Sequence, residues 1–339
     1  MSKLATLTTA WARYDFVGQT ESADGVLLVV AEKPGTFWID DVAIQVEVST
    51  ATNPSPPSTA VPRSYFGMHF NRLDTPWPRV DETTGAVRIW DAGESSNGSG
   101  VGAQWSEINA TPGTYNWSGL DARVATAIAH NADVVYTFGG RTPRWASAEP
   151  DANSPYGLGQ CAAPQTDQLW QDWVRTIVTR YQGKIKLWEV WNEPDISDFY
   201  CGTPEKLVDL GRQVYTIVKQ IDPTNRVLTP GFSGFQGPGY LDFYLAQGGA
   251  QYADIISYHF YVDQPEENAG ARTANIKSTI AHYCAQTKPL WNAEQGWIDV
   301  GPNPTPLPQA TGAAYIARAY LLHWAYGVTR YYYYTWDNG

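Results

Sequence analysis

The feature that most constrains the fold is an alternation of short apolar segments with helical segments, which runs from residue 65 to the end of the chain. Eight apolar runs of strand length recur there, and most precede a segment whose apolar residues are spaced three or four apart. One such segment follows Thr203, a residue type that caps helices, and begins with Pro204, which favours the first helical position. Because parallel sheets are built from such repeats, the pattern predicts an α/β protein with a (β/α)8 TIM barrel.

The predicted elements set the bounds of this barrel. The strands are expected at Tyr65–Phe70, Ala86–Trp90, Asp133–Gly139, Lys186–Trp191, Arg226–Pro230, Ala253–Phe260, Pro289–Glu294 and Arg330–Trp336. Helices are expected at Ser118–Asn131, Thr166–Gln182, from Pro204 onward, at Tyr240–Gln247, up to about Cys284, and at Thr311–Tyr326. No helical pattern follows the eighth strand, so we expect the barrel, assigned to residues 65–339, to lack its last helix.

The first 64 residues have a different composition. Residues 1–48 contain strand-like runs without a helical period, which predicts a small β-sandwich (jelly-roll-like) accessory fragment. The sequence Trp-Ile-Asp-Asp-Val within it resembles the last strand of many β-sandwich carbohydrate-binding modules, and a sandwich without a ligand is the alternative. Residues 49–64 are rich in Pro, Ser and Thr and predict a linker. The thin sandwich and the missing helix lead us to expect a sequence truncated at both ends.

Charge and composition restrict the partners. The net charge of −11 argues against nucleic acids and anionic membranes, which would repel the chain, and favours a neutral or cationic substrate. No apolar run approaches transmembrane length. The 15 Trp and 21 Tyr suit a carbohydrate ligand because aromatic faces stack on sugar rings, although they would also fill a large core. The N-terminus is too polar for a signal peptide, so we expect a secreted or extracellular protein whose leader is absent from this sequence, with a cytoplasmic location as the alternative.

The three cysteines do not have the spacing of metal ligands. Cys161 and Cys201 both follow predicted strands, in loops on one face of the barrel, and we hypothesise a disulfide between them, with free thiols as the alternative. Cys284 ends a predicted helix just before a strand, and we predict a buried thiol there.

Two glutamates stand at the carboxyl ends of predicted strands, where a barrel of this kind places its chemistry. Glu193 follows the apolar fourth strand together with Asn192, and Pro194 then ends the strand. Glu294 ends the seventh strand. Either residue alone could be a salt-bridged loop residue. Two at matching strand ends favour glycoside hydrolysis, in which one carboxyl group donates a proton and another attacks or activates water.

The residues around these glutamates resemble a known family. The sequences Trp-Asn-Glu-Pro at the fourth strand and Trp-Asn-Ala-Glu-Gln-Gly-Trp at the seventh are similar to clan A of the retaining glycoside hydrolases, and within it to family 39. Further similar segments lie at Phe66–His69, Val87–Asp91, Trp105–Asp121 and Tyr136–Ser147, and the resemblance covers residues 62–338. It implies an enzyme without a cofactor that cleaves β-glycosidic bonds of a polysaccharide or oligosaccharide by double displacement.

The resemblance also implies roles for single residues. Glu193 would be the general acid/base and Glu294 the nucleophile. Arg88 would supply a cation beside Glu294, and either Tyr261 or His259 would also touch the nucleophile.

Further residues are expected to bind the sugar. By the same resemblance Asn192 would hold its 2-hydroxyl, and Trp336 would form an apolar floor, with Trp145 and Trp297 as additional candidates whose alternative role is core packing. Glu189 matches no catalytic position and is interpreted as structural.

Other chemistry is disfavoured. The chain has 5 His without a His-x-His or Glu-x-x-His pairing, and no phosphate-binding loop follows a strand, so we expect no metal and no cofactor. A non-catalytic carbohydrate-binding or scaffold protein on a glycosidase-like barrel is the alternative function. The sugar stays open among xylosides, uronides and bacterial exopolysaccharides, as do endo or exo action and the oligomeric state.

Overall fold

A computed structural model of the chain describes residues 60–78, 84–92, 102–234, 239–262, 265–297 and 307–337, without the side chains of 265–268. The predicted β-sandwich fragment at 1–48 and most of the predicted linker lie outside these residues.

Eight parallel strands form the barrel. They are β1 (Phe66–His69), β2 (Ala86–Ile89), β3 (Asp133–Gly139), β4 (Leu187–Trp191), β5 (Arg226–Leu228), β6 (Ile256–His259), β7 (Leu290–Gln295) and β8 (Arg330–Tyr333). Their order is β5-β4-β3-β2-β1-β8-β7-β6, and isolated parallel bridges, Leu228 to Ile255 and Phe232 to Tyr258, close the gap between β5 and β6. The predicted (β/α)8 barrel is confirmed.

The described helices follow the strands as expected. They are α1 (Trp105–Ile108), α2 (Ser118–Ala129), α3 (Asp167–Arg180), α4 (Pro204–Ile221), α5 (Gly239–Ala246), α6 (Pro265–His282) and α7 (Gln309–Ala325). Only the short α1 was not expected from the sequence. Thr203 caps α4 by accepting a hydrogen bond from the backbone N–H of Lys206, as its residue type predicted. None of these helices combines the length and the apolar character needed to cross a lipid bilayer.

Alternation along β4 separates two buried layers and so positions the site. Trp188 and Val190 belong to the large apolar cluster that the surrounding helices cover, whereas Leu187 belongs to a small cluster contributed by six strands and Ile255. Glu189 shares the face of Leu187, and its partners lie on other strands of the barrel, so this face looks into the barrel interior. The interior is therefore apolar at the level of Leu187 and polar at the level of Glu189, whereas Trp191, at the end of β4, belongs to the large apolar cluster.

The structure confirms the hypothesis of a disulfide and contradicts the hypothesis of a buried thiol. Cys161 and Cys201 form a disulfide with their Cα atoms 5.2 Å apart, and the Cys201 N–H donates to the Cys161 carbonyl (3.0 Å), which confirms the pairing. The prediction of a buried thiol at Cys284 was wrong. This residue is exposed because it lies beyond the last residue of α6, at a φ of +56° in the turn that leads to β7.

Candidate active site

The carboxyl groups of Glu193 and Glu294 face each other at the carboxyl ends of β4 and β7. One oxygen of each and a ring nitrogen of His259 all lie within 4.8 Å of one another. Both glutamates are buried, with relative exposures of 7% and 6%. The structure thus brings together the two glutamates that the sequence singled out.

The backbone at Glu193 is specialised. Its φ of +39° lies in the left-handed region, which few residues other than glycine adopt, and such outliers cluster at functional sites. Its N–H donates to the carbonyl of Gly231 at 2.8 Å. A side chain at Gly231 would place its Cβ 2.5 Å from His259 Nε2, so only glycine lets the segment after β5 approach this closely. The position of Glu193 is therefore fixed by the neighbouring strand ends.

Arg88 on β2 connects the two halves of the site. Its guanidinium is fully buried and donates through Nη1 to Glu294 Oε2 (2.8 Å), through Nη2 to Asn192 Oδ1 (2.7 Å) and through Nε to Glu189 Oε2 (2.7 Å). The expectation of a cation beside Glu294 matches this geometry. Since a planar guanidinium fixes the directions of its donors, Arg88 also fixes Asn192 relative to Glu294.

Glu189 has more contacts than the sequence suggested. Its Oε2 also accepts from Thr137 Oγ1 (2.6 Å), and its Oε1 accepts from Ser257 Oγ (2.6 Å). The sequence signal was a single carboxylate inside an otherwise apolar strand, because a fully buried charge needs partners.

Tyr261 and His259, the two candidates for a second contact to Glu294, have different partners. Tyr261, just after β6, donates its hydroxyl to Glu294 Oε1 at 2.8 Å, whereas His259 Nδ1 lies 2.8 Å from Glu193 Oε1. Burial raises the pKa of the Tyr261 hydroxyl well above its usual value, so it stays a neutral donor. Tyr261 therefore belongs to Glu294, and His259 belongs to Glu193.

The electrostatic surroundings give the two carboxyl groups different pKa values. Burial, helped by the negative charge of Asp195, raises the pKa of Glu193 to about 8. Burial also raises the pKa of Glu294, to about 7, against the lowering effect of Arg88, which donates a hydrogen bond to it. Because burial lowers the pKa of His259 to about 4, this ring is neutral near pH 7, and Arg88 is the cation that favours ionised Glu294. Glu294 consequently ionises before Glu193.

The predicted aromatic residues occupy different positions. Trp336, after β8, is 43% exposed and donates its indole N–H to the Pro76 carbonyl (3.0 Å). Trp145 is partly buried against the large apolar cluster. Trp297 is also partly buried and contacts the ring of Tyr315 edge-on. Trp336 thus has the most exposed ring of the three.

Other residues of the site were not assigned a role from the sequence. Tyr334 donates its hydroxyl to Asp91 Oδ2 beyond the end of β2, and the negative charge of Asp91 raises the pKa of both catalytic candidates. Asp195 accepts hydrogen bonds from the backbone N–H groups of Ser233 and Gly234. Their types and positions near strand ends were visible in the sequence, but the pairings across the barrel were not.

The same three groups could also ligate a divalent cation, since two carboxylates and one imidazole lie close together. Against this use, Glu294 already accepts a hydrogen bond at each oxygen, from Arg88 and from Tyr261. Arg88 Nη1 lies 2.8 Å from Glu294 Oε2, so its positive charge would repel a metal ion bound to the same carboxylate. These three residues therefore fit a pair of carboxyl groups hydrogen-bonded to protein side chains better than they fit a metal centre.

Comparison with known proteins gives one family match and one curated relative. Residues 100–199 match the model of glycosyl hydrolase family 10, a segment that includes β3, β4 and Glu193. A beta-xylosidase from Caldicellulosiruptor saccharolyticus is 29% identical over 118 residues, which are 34% of this chain and 23% of the relative.

Solved structures resemble the chain over a larger part of its length. A glucosidase from Croceicoccus marinus matches with a TM-score of 0.60 and 18% identity, over 82% of this chain and 60% of that protein. A family 39 beta-xylosidase from Caulobacter crescentus matches with a TM-score of 0.60 and 17% identity, over 82% and 63%. A family 39 glycoside hydrolase from Bacteroides cellulosilyticus matches with a TM-score of 0.59 and 19% identity, over 79% and 55%.

The three comparisons agree on the kind of protein that this chain resembles. At these identities the solved structures show the shared barrel, and the chain spans less than two thirds of the length of each of them. The predicted resemblance to the clan A glycoside hydrolases, with family 39 recurring among the structural neighbours, is confirmed.

Proposed function

We propose that the chain is a retaining glycoside hydrolase that cleaves β-glycosidic bonds of an oligosaccharide or polysaccharide. Glu294 acts as nucleophile and Glu193 as general acid/base. The observation that carries the proposal is the pair of buried carboxyl groups with oxygens within 4.8 Å, one bound by Arg88 and the other by His259. Retaining enzymes hold their carboxyl groups about 5–5.5 Å apart, whereas inverting enzymes need about 6.5–9.5 Å to admit water.

The first step requires ionised Glu294 and protonated Glu193. This protonation state fits the two pKa values, because Glu294 loses its proton first. A Glu294 oxygen attacks the anomeric carbon and forms an ester as the glycosidic C–O bond breaks. The proton of Glu193 passes to the departing oxygen, which leaves as an alcohol.

The second step reverses the roles around the same carbon. Glu193, now a carboxylate, takes a proton from a water molecule whose oxygen attacks the anomeric carbon. The ester bond to Glu294 breaks and the sugar leaves with its original configuration. Neutral His259 at 2.8 Å supports both states of Glu193, because imidazole presents either a donor or an acceptor.

The sugar is held by groups that still have bonding capacity. Asn192 gives its oxygen to Arg88, and its Nδ2 has no hydrogen-bond partner among the described residues. This amide would donate to the 2-hydroxyl, a bond that strengthens in the transition state. Trp336 offers an exposed ring for the apolar face of the sugar. Since a beta-xylosidase and a glucosidase are among the similar proteins, β-xylosides and β-glucosides are the first substrates to test.

The deciding experiment is the configuration of the first product. Aryl β-xylosides and β-glucosides are hydrolysed in an NMR tube, and the anomeric proton of the released sugar is followed before mutarotation. We expect the β anomer first. Initial release of the α anomer would contradict double displacement. Binding without any released product, across a panel of plant and bacterial glycans, would instead indicate the non-catalytic carbohydrate-binding protein.

We also propose that the protein works outside the cytoplasm. The disulfide between Cys161 and Cys201 supports this location, because such bonds persist in oxidising compartments. Mass measurement of the protein from its natural source, before and after reduction, tests the proposal. Reduced thiols at both positions would contradict it.

A further inference from the structure

We propose that Glu189 is a positioning residue that sets the geometry and the charge of both catalytic carboxyl groups through Arg88. The inference rests on the proposed roles of Glu193 and Glu294. It assigns a function to a side chain that matches no catalytic position in the sequence and lies one layer below the reacting groups.

Glu189 is held firmly in the barrel interior. It lies on β4, is fully buried, and accepts three hydrogen bonds of 2.6–2.7 Å, from Arg88, Thr137 and Ser257. These donors come from β2, β3 and β6, so the carboxylate is fixed across the barrel interior. A buried carboxylate held by three short hydrogen bonds forms a rigid anchor.

Glu189 in turn holds Arg88 in place. Arg88 directs one nitrogen to Glu189, one to Asn192 and one to Glu294. Because the guanidinium is planar, fixing its Nε against Glu189 fixes the directions of the other two donors. Displacement of Arg88 would therefore move both the Asn192 amide, which holds the sugar, and Glu294, the nucleophile.

The negative charge of Glu189 acts on both catalytic carboxyl groups. Arg88 forms ion pairs with two carboxylates. Its Nη2 lies 2.6 Å from Glu189 Oε2, and its Nη1 lies 2.8 Å from Glu294 Oε2. Without the negative charge of Glu189, the full positive charge would act on Glu294 and lower its pKa. The charge of Glu189 also raises the pKa of Glu193, so its loss lowers that pKa too. Both titrations would therefore move in the same direction.

A change at Glu189 leaves the other ionisable groups around the two catalytic carboxyl groups chemically unchanged. Those that act on Glu193 or Glu294 come from β2 and its end, from the segment after β4, from β6 and its end, and from the end of β8. They are Arg88, Asp91, Asp195, His259, Tyr261 and Tyr334, together with the two glutamates acting on each other. The buried His69 of β1 acts on Arg88 and His259.

The test is the pH profile of kcat/KM for Glu189→Gln, a change that removes the charge and keeps the shape. We expect the acidic and the alkaline limbs both to move to lower pH, and kcat to fall about ten- to a hundredfold because the reacting groups shift slightly. A purely structural residue would lower the melting temperature and leave both limbs in place, and that result would overturn the proposal.

Matched variants separate charge from hydrogen bonding. Thr137→Val and Ser257→Ala each remove one donor to Glu189 and keep its charge, so both limbs should stay at their wild-type pH. Movement of the limbs in these variants equal to that in Glu189→Gln would contradict the charge argument.

Two further outcomes are decisive. If Glu189→Gln does not fold, Glu189→Asp keeps the charge with a shorter side chain, and it should lower kcat with unmoved limbs. An unchanged kcat would overturn the positioning role. Wild-type protein that turns over no glycoside defeats the proposed function itself. Retaining turnover with unmoved limbs in Glu189→Gln defeats only this inference.

Discussion

The ends of β4 and β7 each present one glutamate to the same site, yet the chain builds the two positions differently. Glu193 lies beyond the last residue of its strand with a φ of +39°, next to neutral His259 and within the field of Asp195. Glu294 lies within β7, with Arg88 on one oxygen and Tyr261 on the other. The charges of Arg88 and Asp91 act on both carboxyl groups, but Arg88 donates a hydrogen bond to Glu294 and not to Glu193.

This difference accounts for the opposite roles that we propose for two identical side chains. The neighbours of Glu193 penalise its ionised form, which suits an acid, while Arg88 favours the ionised form of Glu294, which suits a nucleophile. The division arises from opposite strands of the barrel, because Arg88 and His259 come from β2 and β6. Substitutions on either side should therefore have different effects.

The largest effect is expected from the two carboxyl groups themselves. Glu294→Gln should lower kcat/KM by about 10⁴-fold or more, because the first covalent bond cannot form. Glu193→Ala should lower it by about 10²–10⁴-fold for substrates with poor leaving groups, and less for activated aryl glycosides. Added azide should restore turnover of an activated substrate in Glu193→Ala but not in Glu294→Gln, as initial-rate measurements would show.

The exposed Glu149, in the loop after β3, supplies the control for this pair. Glu149→Gln should keep wild-type turnover. Rescue by azide in the Glu294 variant instead of the Glu193 variant would exchange the two assigned roles. Full activity in either variant would remove that residue from the chemistry.

The next effect concerns the cation that distinguishes the two positions. Arg88→Gln should lower kcat/KM by about 10²–10³-fold, the usual loss for one preorganised charged donor. Without the cation the pKa of Glu294 rises, so the acidic limb of the pH profile should move to higher pH. Arg144→Gln, which removes an arginine that is 60% exposed, should change neither quantity. An unmoved acidic limb in Arg88→Gln would contradict the electrostatic contrast.

A smaller effect is the pH dependence of the unmodified protein. The proposed first step requires ionised Glu294 and protonated Glu193, so kcat/KM should rise with pH through about 7 and fall through about 8. On either side the rate should change about tenfold per pH unit, because one proton is involved. Initial rates measured from about pH 5 to about pH 10 test this. A rate that stays constant below neutral pH would mean that Glu294 ionises without the opposition of burial.

The contrast also indicates what the sequence could reveal. The positions of the strands and both glutamates followed from apolar runs with a polar end, because burial imposes that pattern locally. The bounds were less exact, since β6 begins three residues later and β8 ends three residues earlier than predicted. The contacts of Glu189 with Arg88 and Ser257 join residues 101 and 68 positions apart, and no local pattern specifies which strands face each other across the barrel. The barrel and the pair of facing glutamates were therefore predictable, and the hydrogen-bond network beneath them was not.

The smallest effect on activity is expected from the disulfide, which lies on the β4 side of the comparison. Cys161→Ser combined with Cys201→Ser opens a loop with a separation of 40 residues, which should lower the free energy of unfolding by about 3–4 kcal/mol. Glu193 is held by its bond to Gly231 and by His259, so kcat well below the melting temperature should fall less than about threefold. Cys284→Ser changes an exposed thiol and should leave the melting temperature unchanged. A large loss of kcat in the double variant, at a temperature where circular dichroism shows it folded, would mean that the loop after β4, and not the barrel, positions the acid.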